Sequence, residues 1–381
     1  MQRINAQPTF TDLTVADLGG PKATAFLNTC QAQIPFDRLA ASVAGIFKDD
    51  NPAGGAPHWP VVTMIKVLFL QKCFGLSDPM AEEMLLDRIS FRRFVGLSLD
   101  DKTPDYSTIS TFRKRLRDAG HGSTLFDESV RILRERGLVL NTGTLIDATI
   151  IEAPIGGKRA DGSSSADGCA TTTVKGGRTY HGFRAHTATD RQGILLDFVY
   201  DSANVSEHEH FDQLAANETR AVYADSGCRS KERVASLRGR GVLPGICHRR
   251  VRGQKDLTPE QKRFNRIVAP IRAFVEHPYA WIKARLNNRR ARYRGLRRNA
   301  FDFAVSAMAW NFCRSFSLKP AAAVAVANCA GRFPAPTGPQ KARRARKSNK
   351  MTGGSMHDCR FDVWSPKMRI NQSPQSQSPV A

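Results

Sequence analysis

Residues 268–283 read VAPIRAFVEHPYAWIK, and this stretch places one carboxylate, Glu276, between two basic residues, Arg272 and Lys283. If the stretch is one helix, the two basic residues share a face with Glu276 and Tyr279, while apolar side chains spread over another face. A salt-bridged amphipathic helix is the simpler interpretation, because Arg–Glu pairs four residues apart are common on helices. Pro278 predicts a kink or a new helical turn at its position in the stretch.

Two further carboxylates lie on otherwise apolar strands. Residues 144–151 are almost all apolar or β-branched without alternation, which predicts a strand covered on both faces, with Asp147 in its middle. A buried carboxylate is costly unless a cation or a salt bridge compensates for it. Asp225 follows a second apolar strand within RAVYADSGCRS (220–230), at a carboxyl end of the kind where side chains meet ligands. Capping of the next helix is the alternative role for Asp225.

The composition predicts a polyanionic partner. The 381 residues include 57 Lys and Arg against 35 Asp and Glu, for a formal charge of +22 and a pI near 10.1. Nucleic acid is the leading candidate for that partner. No apolar run reaches the length of a membrane helix and the N-terminus lacks a signal core, so we expect no membrane partner and a cytoplasmic location. The eight cysteines form no CxxC pair or zinc spacing, which predicts reduced, structural thiols.

The region before residue 120 is predicted to be helical and to bind DNA. An apolar helix from residue 59 and a helical pair precede YSTISTFRKRLRDAG (106–120), whose start Asp105, Ser107 or Thr108 can cap. With Thr108 in its first turn and Arg113 and Lys114 on its outer face, this helix resembles one that reads a major groove. A solvated basic face above apolar packing is the alternative, and we weigh the two equally.

The middle of the chain predicts a loop and a hairpin. Residues 155–179 are rich in Gly, Ser, Thr and Lys and lack the P-loop pattern, so we expect a mobile loop with no nucleotide site. Residues 180–189 and the following ILLDFVYDSA predict an antiparallel pair around a turn at 190–193. His208 and His210 diverge on a helix, which favours a surface role over metal binding.

A dense arginine cluster follows Lys283. Seven arginines lie between residues 285 and 298 with no acid among them, and such density favours phosphate contact over a merely solvated face. The candidates for DNA contact are Arg289, Arg290, Arg292 and Arg294. From residue 319 the composition changes, and the segment from about residue 331 is predicted to be a disordered basic tail with nonspecific affinity for DNA.

The order of elements predicts an α/β fold. An RNase H-like domain has the order strand, hairpin, helix, strand, helix, strand and helix. Its carboxylates lie on the first strand, the fourth strand and the last helix, as they do in this sequence. We therefore expect an RNase H-like catalytic domain with a mixed five-stranded sheet over residues 121–318, after an all-helical DNA-binding region over 1–120 and before a tail over 319–381. The interval from Asp225 to Glu276 is too short for a large inserted domain.

Several ordered motifs over about residues 55–316 resemble the IS5-group bacterial insertion-sequence transposases of the IS4-like DDE superfamily. The motifs are FGLSD, SFRRFVGL, PDYSTISTFRKRL, GTLIDATIIEAP, YHGFRAH, VYADSG, VEHP and RYRGLRRN. The resemblance implies that Asp147, Asp225 and Glu276 are the catalytic DDE triad. The Tyr-x2-Arg-x3-Glu-x6-Lys signature is met at Arg272, Glu276 and Lys283, but Ala269 occupies the tyrosine position.

This resemblance also implies a chemistry. Three carboxylates would hold two Mg²⁺ ions about 3.5–4 Å apart, with Mn²⁺ as a substitute, to neutralise a phosphodiester and activate a hydroxyl. Arg272 and Lys283 would meet phosphates or a terminal base of double-stranded DNA. The implied function is a transposase that binds terminal inverted repeats, as a homodimer or larger assembly, in the nucleoid. A catalytically silent DNA-binding regulator is the alternative.

Overall fold

A computed structural model describes residues 22–47, 58–157, 166–250, 253–286 and 288–320 of the chain. The first part of these residues is helical, as the sequence predicts. The helices before the first strand are α1 (Lys22–Gln33), α2 (Phe36–Ser42), α3 (Val61–Phe74), α4 (Asp78–Asp87), α5 (Ile89–Val95), α6 (Tyr106–Asp118) and α7 (His121–Glu135).

Helix α6 is the one predicted to read DNA, and its start is capped as expected. The carboxylate of Asp105 accepts a hydrogen bond of 2.6 Å from the backbone N–H of Thr108. Such a bond satisfies one of the amide groups that a helix leaves unpaired in its first turn. Ile109, Phe112 and Leu116 are buried and hold the helix against its neighbours, in agreement with the predicted apolar face.

A mixed sheet follows the helices. Its strands are β1 (Thr144–Glu152), β2 (Thr171–Lys175), β3 (Arg178–Thr189), β4 (Leu195–Ser202), β5 (Ala221–Ala224) and β6 (Leu243–Ile246). The order is β2-β3-β1-β5-β6, and β4 pairs with β3. β1 is antiparallel to β3 and parallel to β5, and β5 is parallel to β6. The mixed α/β class and the predicted hairpin are therefore confirmed.

The number of strands differs from the prediction of five. The additional strand is β2, which lies in the segment predicted to be a loop, where Thr171–Lys175 pairs with the first half of β3. β2 is polar and largely exposed, so it carries no apolar pattern that would identify it. Gly182 lies where β3 passes from β2 to its other partners, with φ of +155°, and a Cβ there would lie 2.1 Å from the carbonyl oxygen of Ile151.

Helices cover both faces of the sheet. The later helices are α8 (Phe211–Leu214), α9 (Lys231–Gly239), α10 (Pro259–Arg272), α11 (Glu276–Ala284) and α12 (Leu296–Ser315). Neighbouring residues of a strand point to opposite faces. Accordingly, Ile146 packs in a cluster with Phe211 of α8 and Leu237 of α9. Leu145 packs in another cluster with Val268 of α10 and Tyr279 of α11. The strand that the sequence predicts to be covered on both faces, β1, is thus covered by helices on both faces.

The helical N-terminal part and the sheet share one core. A single cluster of buried residues contains Leu39 of α2, Phe69 of α3, Phe126 of α7 and Phe312 of α12. Lys72 of α3 and Asp302 of α12 form a buried ion pair across the same contact. The apolar core therefore runs across residue 120, where the sequence predicts a domain boundary.

Two composition-based expectations concern cysteines and membranes. The cysteines within the described ranges, Cys30, Cys73, Cys169, Cys228, Cys247 and Cys313, are free thiols, as expected. No helix among the residues that the structure describes is long and apolar enough to span a bilayer. The predicted basic tail from residue 331 and residues 158–165 of the predicted loop lie outside the described residues.

Candidate active site

Two of the predicted triad residues lie at the same level of adjacent strands. In the parallel pair β1–β5, Leu145 is the register partner of Tyr223. Asp147 and Asp225 each lie two residues further along, and neighbouring strands are about 4.8 Å apart. The sheet therefore brings Asp147 and Asp225 to one edge, at the carboxyl end of β5, where open crevices of α/β sheets bind ligands.

The carboxyl group of Asp147 is half-buried and electrostatically perturbed. Its pKa is raised to about 6, mainly by burial and also by the nearby negative charge of Glu207, while the backbone N–H of Ala148 and the charges of Arg272 and Lys175 act in the opposite direction. Its partner on β3 in the antiparallel register is Thr187. A cation at this carboxyl would lower its pKa again, because an opposite charge within a few ångströms favours ionisation.

The side chain of Asp225 is held by an arginine instead of capping a helix. One oxygen of its carboxylate accepts a hydrogen bond of 3.2 Å from Nη1 of Arg272, the last residue of α10. Asp225 makes no side-chain bond to the short 3₁₀ turn that it precedes, and Ser230 caps α9. The capping alternative is therefore wrong. The Asp225 side chain is 47% exposed, so a ligand can reach it.

The stretch around Glu276 is two helices rather than one. α10 ends at Arg272, a 3₁₀ turn covers Ala273–Val275, and α11 begins at Glu276. The break lies before Glu276 and not at Pro278, which occupies the first turn of α11, where a missing N–H costs little. Glu276 is exposed at the N-terminus of α11, a position where the helix dipole stabilises a carboxylate.

Of the side chains predicted to share a face with Glu276, Tyr279 is buried elsewhere and Lys283 lies beside the site. Tyr279 does not join the charged side chains, because it is buried and its hydroxyl lies 2.7 Å from Oγ1 of Thr187. Lys283 is half-buried beside the site: burial lowers the pKa of its ammonium group, as do the nearby charges of Lys175 and Arg289, while Glu276 opposes them. Of the predicted residues, the structure thus brings Asp147, Asp225 and Arg272 together, while Lys283 lies on the helix that Glu276 begins.

The predicted arginine contacts divide into two kinds. Arg289, Arg290 and Arg294 have exposed side chains. The backbone of Arg289 accepts a hydrogen bond of 3.2 Å from the N–H of Glu152, which attaches this segment to the end of β1. Arg292 instead donates 3.1 Å to the carbonyl oxygen of Gly75 after α3. Arg292 therefore joins the two parts of the protein, which contradicts its expected place in the exposed cluster.

Helix α6 also differs from the prediction at one residue. Arg113 is buried, donates 2.8 Å from Nη1 to Asp78 of α4, and lies over the ring of Tyr293, with 5.2 Å to the ring centroid. The prediction that its guanidinium lies on the outer face is therefore wrong. Lys114 is exposed, and Thr108 is half-buried in the first turn. These two residues remain on the accessible side of the helix.

Comparison with known protein families agrees with this geometry. Residues 140–312 match the transposase DDE domain, and residues 20–115 match the transposase domain DUF772. This chain is a DDE-type DNA transposase. The first match contains all three acids of the predicted triad, and the second contains all of α6 except its last three residues. Neither match favours the catalytically silent regulator.

One solved structure similar to the transposase is the cryo-EM structure of the piggyBac transposase synaptic complex with hairpin DNA. The two chains are 9% identical with a TM-score of 0.39, and the match covers 86% of this chain and 79% of that chain. A likeness at this TM-score and identity carries no conclusion about function.

The DDE domain implies dependence on a divalent metal ion, and the donor set fits one. Carboxylate oxygens are the ligands that hard divalent cations prefer. Within the described ranges, no three His, Cys, Asp or Glu side chains are close enough to form a ready-made metal site. The sheet register sets Asp147 level with Asp225, so these two carboxylates would hold the metal, and Glu276 at the start of α11 is the third predicted ligand.

Three residues that lie at this site, Lys175, Thr187 and Glu207, have no sequence pattern that predicts a role there. Thr187 is buried opposite Asp147, and Glu207 pairs with Lys175 across 3.4 Å while its charge acts on Asp147. Lys175 lies on the unpredicted strand β2, and Glu207 lies in a segment that the sequence assigns to the surface. The sheet register places Thr187 opposite Asp147, and the ion pair with Lys175 places Glu207 near them; neither contact joins residues that are close in the sequence.

Proposed function

We propose that this transposase cleaves and joins the ends of an IS5-group insertion sequence, and that Asp147, Asp225 and Glu276 are its catalytic triad. The parallel register of β1 and β5 carries this proposal, because it sets Asp147 level with Asp225. The ion pair from Asp225 to Arg272 supports the inclusion of Glu276, because Arg272 ends α10 and Glu276 follows it by four residues.

Two Mg²⁺ ions, which Mn²⁺ can replace, would neutralise the phosphodiester and activate the attacking hydroxyl. The chain's own residues orient the DNA around them. Arg272 holds Asp225 until a phosphate competes for its guanidinium, because charge-assisted bonds from arginine suit carboxylate and phosphate alike. Lys283 lies near Glu276, and its ammonium group would contact the phosphates of the DNA strand that is cut.

The DNA contacts outside the triad come from two exposed surfaces. Thr108 and Lys114 of α6 read the terminal inverted repeats, and Arg289, Arg290 and Arg294 hold phosphates beside the active site. Because an element has two ends, the transposase acts as a homodimer or a larger assembly on double-stranded DNA. Its net charge of +22 favours association with the nucleoid.

Cleavage of a duplex that carries the gene with its natural flanking sequences tests this function. With Mg²⁺ or Mn²⁺ the wild-type protein should nick or cut at both element ends. Asp147→Asn, Asp225→Asn and Glu276→Gln should each reduce cleavage at least about 1,000-fold, while binding to the same duplex persists.

Asp197→Asn is the matched control. Asp197 is a half-buried acid on β4 whose pKa is also raised by burial, but it lies away from the triad. This variant should cleave at the wild-type rate. Wild-type cleavage that persists in excess EDTA, or full activity of any triad variant, would contradict the proposal.

A further inference from the structure

The hydrogen bond between Tyr279 and Thr187 connects the helix of Glu276 to the strand opposite Asp147. The two oxygen atoms are 2.7 Å apart, and both side chains are buried. Tyr279 lies one turn after Glu276 in α11, and Thr187 is the register partner of Asp147. This hydrogen bond therefore links the helix that begins at Glu276 to the strand that lies beside Asp147.

Partner side chains on adjacent antiparallel strands have Cβ atoms about 5 Å apart and share a face of the sheet. Thr187 and Asp147 consequently lie side by side on the face that α10 and α11 cover. The Tyr279 ring packs beside Leu145, two residues before Asp147 on the same face. The phenol reaches the sheet directly next to Asp147.

The rest of α11 does little to fix Glu276 in direction. Glu276 is exposed, and the 3₁₀ turn before it makes no side-chain cap bond. Pro278 and Ile282 are buried, but apolar contacts tolerate sliding and rotation, whereas a hydrogen bond loses strength within a few tenths of an ångström or tens of degrees. Among the residues that the structure describes, the Tyr279 hydroxyl gives this helix its directional side-chain contact with the sheet.

We propose that Tyr279 and Thr187 are positioning residues that set Glu276 against Asp147 for metal binding and strand cleavage. This inference rests on the proposed triad. The hydroxyl groups of Tyr279 and Thr187 are buried and do not touch the DNA. Their hydrogen bond would fix the separation between Glu276 on the helix and Asp147 on the strand. Displacement of a catalytic group by about 1 Å commonly costs about 100-fold in rate.

The test removes the hydroxyl groups without changing volume. Tyr279→Phe and Thr187→Val should each slow single-turnover cleavage of the duplex with natural flanks by about 10- to 100-fold, with DNA affinity within about twofold of wild type. Because both variants break the same bond, the double variant should be no slower than the slower single variant. Thr187→Ser keeps the hydroxyl and should restore most of the rate.

Two matched controls separate positioning from folding. Tyr200→Phe removes the hydroxyl of a different buried tyrosine, which lies on β4. Thr189→Val removes a buried hydroxyl on β3, two residues after Thr187. Both controls should cleave within about twofold of wild type. Circular dichroism melting should place each variant near its matched control, so a loss confined to the Tyr279 and Thr187 variants reports geometry.

A second measurement does not depend on cleavage. Binding of Mn²⁺ alone, followed by electron paramagnetic resonance, should weaken about three- to tenfold in Tyr279→Phe and not in Tyr200→Phe. Equal cleavage and equal Mn²⁺ affinity in the two variants would overturn the inference. Failure of the wild-type protein to cleave would instead contradict the proposed function, so the two failures are distinguishable.

Discussion

The guanidinium of Arg272 donates to the carboxylate of Asp225 at 3.2 Å, although the two residues are 47 positions apart in the chain. Arg272 ends α10 and Asp225 follows β5, so this ion pair joins the helix before Glu276 to the strand beside Asp147. A cation of the protein therefore already occupies one acid of the proposed metal site.

Removal of that cation should strengthen metal binding and weaken cleavage. A partly exposed ion pair is worth up to about 1 kcal/mol, so Arg272→Ala should tighten Mn²⁺ binding by up to about fivefold. The same variant should cleave DNA more slowly, because it loses a phosphate contact. Arg266→Ala, at an exposed position of the same helix, should change neither quantity. Unchanged Mn²⁺ affinity in Arg272→Ala would show that Arg272 does not compete with the metal.

The arginines after Lys283 should differ in the salt dependence of DNA binding. Each lost phosphate contact flattens the slope of log K against log salt by about 0.9 on duplex DNA. Arg289→Ala and Arg290→Ala should each show this change, since both side chains are exposed. Arg292→Ala should keep the wild-type slope and lower the melting temperature, because its partner is the carbonyl of Gly75. A flattened slope in Arg292→Ala would contradict its structural role.

Arg113 and Lys114 are adjacent in sequence but should behave oppositely. Arg113→Ala leaves Asp78 with only Gln71 as a polar partner in a largely buried site, which should cost about 2–3 kcal/mol of unfolding free energy. Lys114→Ala should change stability by less than about 0.5 kcal/mol and weaken DNA binding instead. Urea unfolding and gel-shift titration of the two variants measure these effects. Equal stability of both variants would contradict the buried ion pair.

His186 should make the protein sensitive to acid. It is 1% exposed, and burial lowers its pKa to about 4, with the nearby His210 and Arg184 acting in the same direction and Asp201 opposing them. The unfolded chain binds a proton below about pH 6.5 and the folded one does not, so this contribution to stability is complete above pH 6.5 and is lost as pH falls toward 4.

This imbalance should cost about 2 kcal/mol at pH 5 relative to pH 7.5. Urea unfolding at the two pH values measures the loss. His186→Leu should remove most of the difference, whereas His208→Leu, at an exposed histidine, should leave it unchanged. An equal pH dependence in both variants would show that other groups are responsible.

The sequence predicts those parts of the fold that local patterns determine. The apolar strand around Asp147, the helix capped by Asp105 and the β3–β4 hairpin follow from residue types within a few positions, and the structure contains all three. The level placement of Asp147 and Asp225 follows less directly. Strand order and register are set by packing between distant segments, so the sequence implies this meeting only through the resemblance to a family. The catalytic roles of the three acids stay a prediction.

The errors share a physical cause, which is that the partner of each residue lies far away in the chain. The helical spacing of Tyr279 predicts that it lies on the charged face. In the structure its hydroxyl instead forms a buried hydrogen bond with Thr187. Arg113 resembles a groove-reading side chain until Asp78, 35 residues earlier, is placed beside it. Strand β2 forms because β3 offers it an edge, and its own residues show no apolar alternation.

The parallel pairing of β1 with β5 has a consequence for how the protein is made. β5 is synthesised long after β1, and closing so large a loop is slow compared with forming a local hairpin. On the ribosome, the β3–β4 hairpin can form early, but the two aspartates meet only after β5 has emerged, and Glu276 joins them later still. A chain released before α11 would carry exposed strand edges and an incomplete active site, so interrupted synthesis should yield aggregation-prone fragments without nuclease activity.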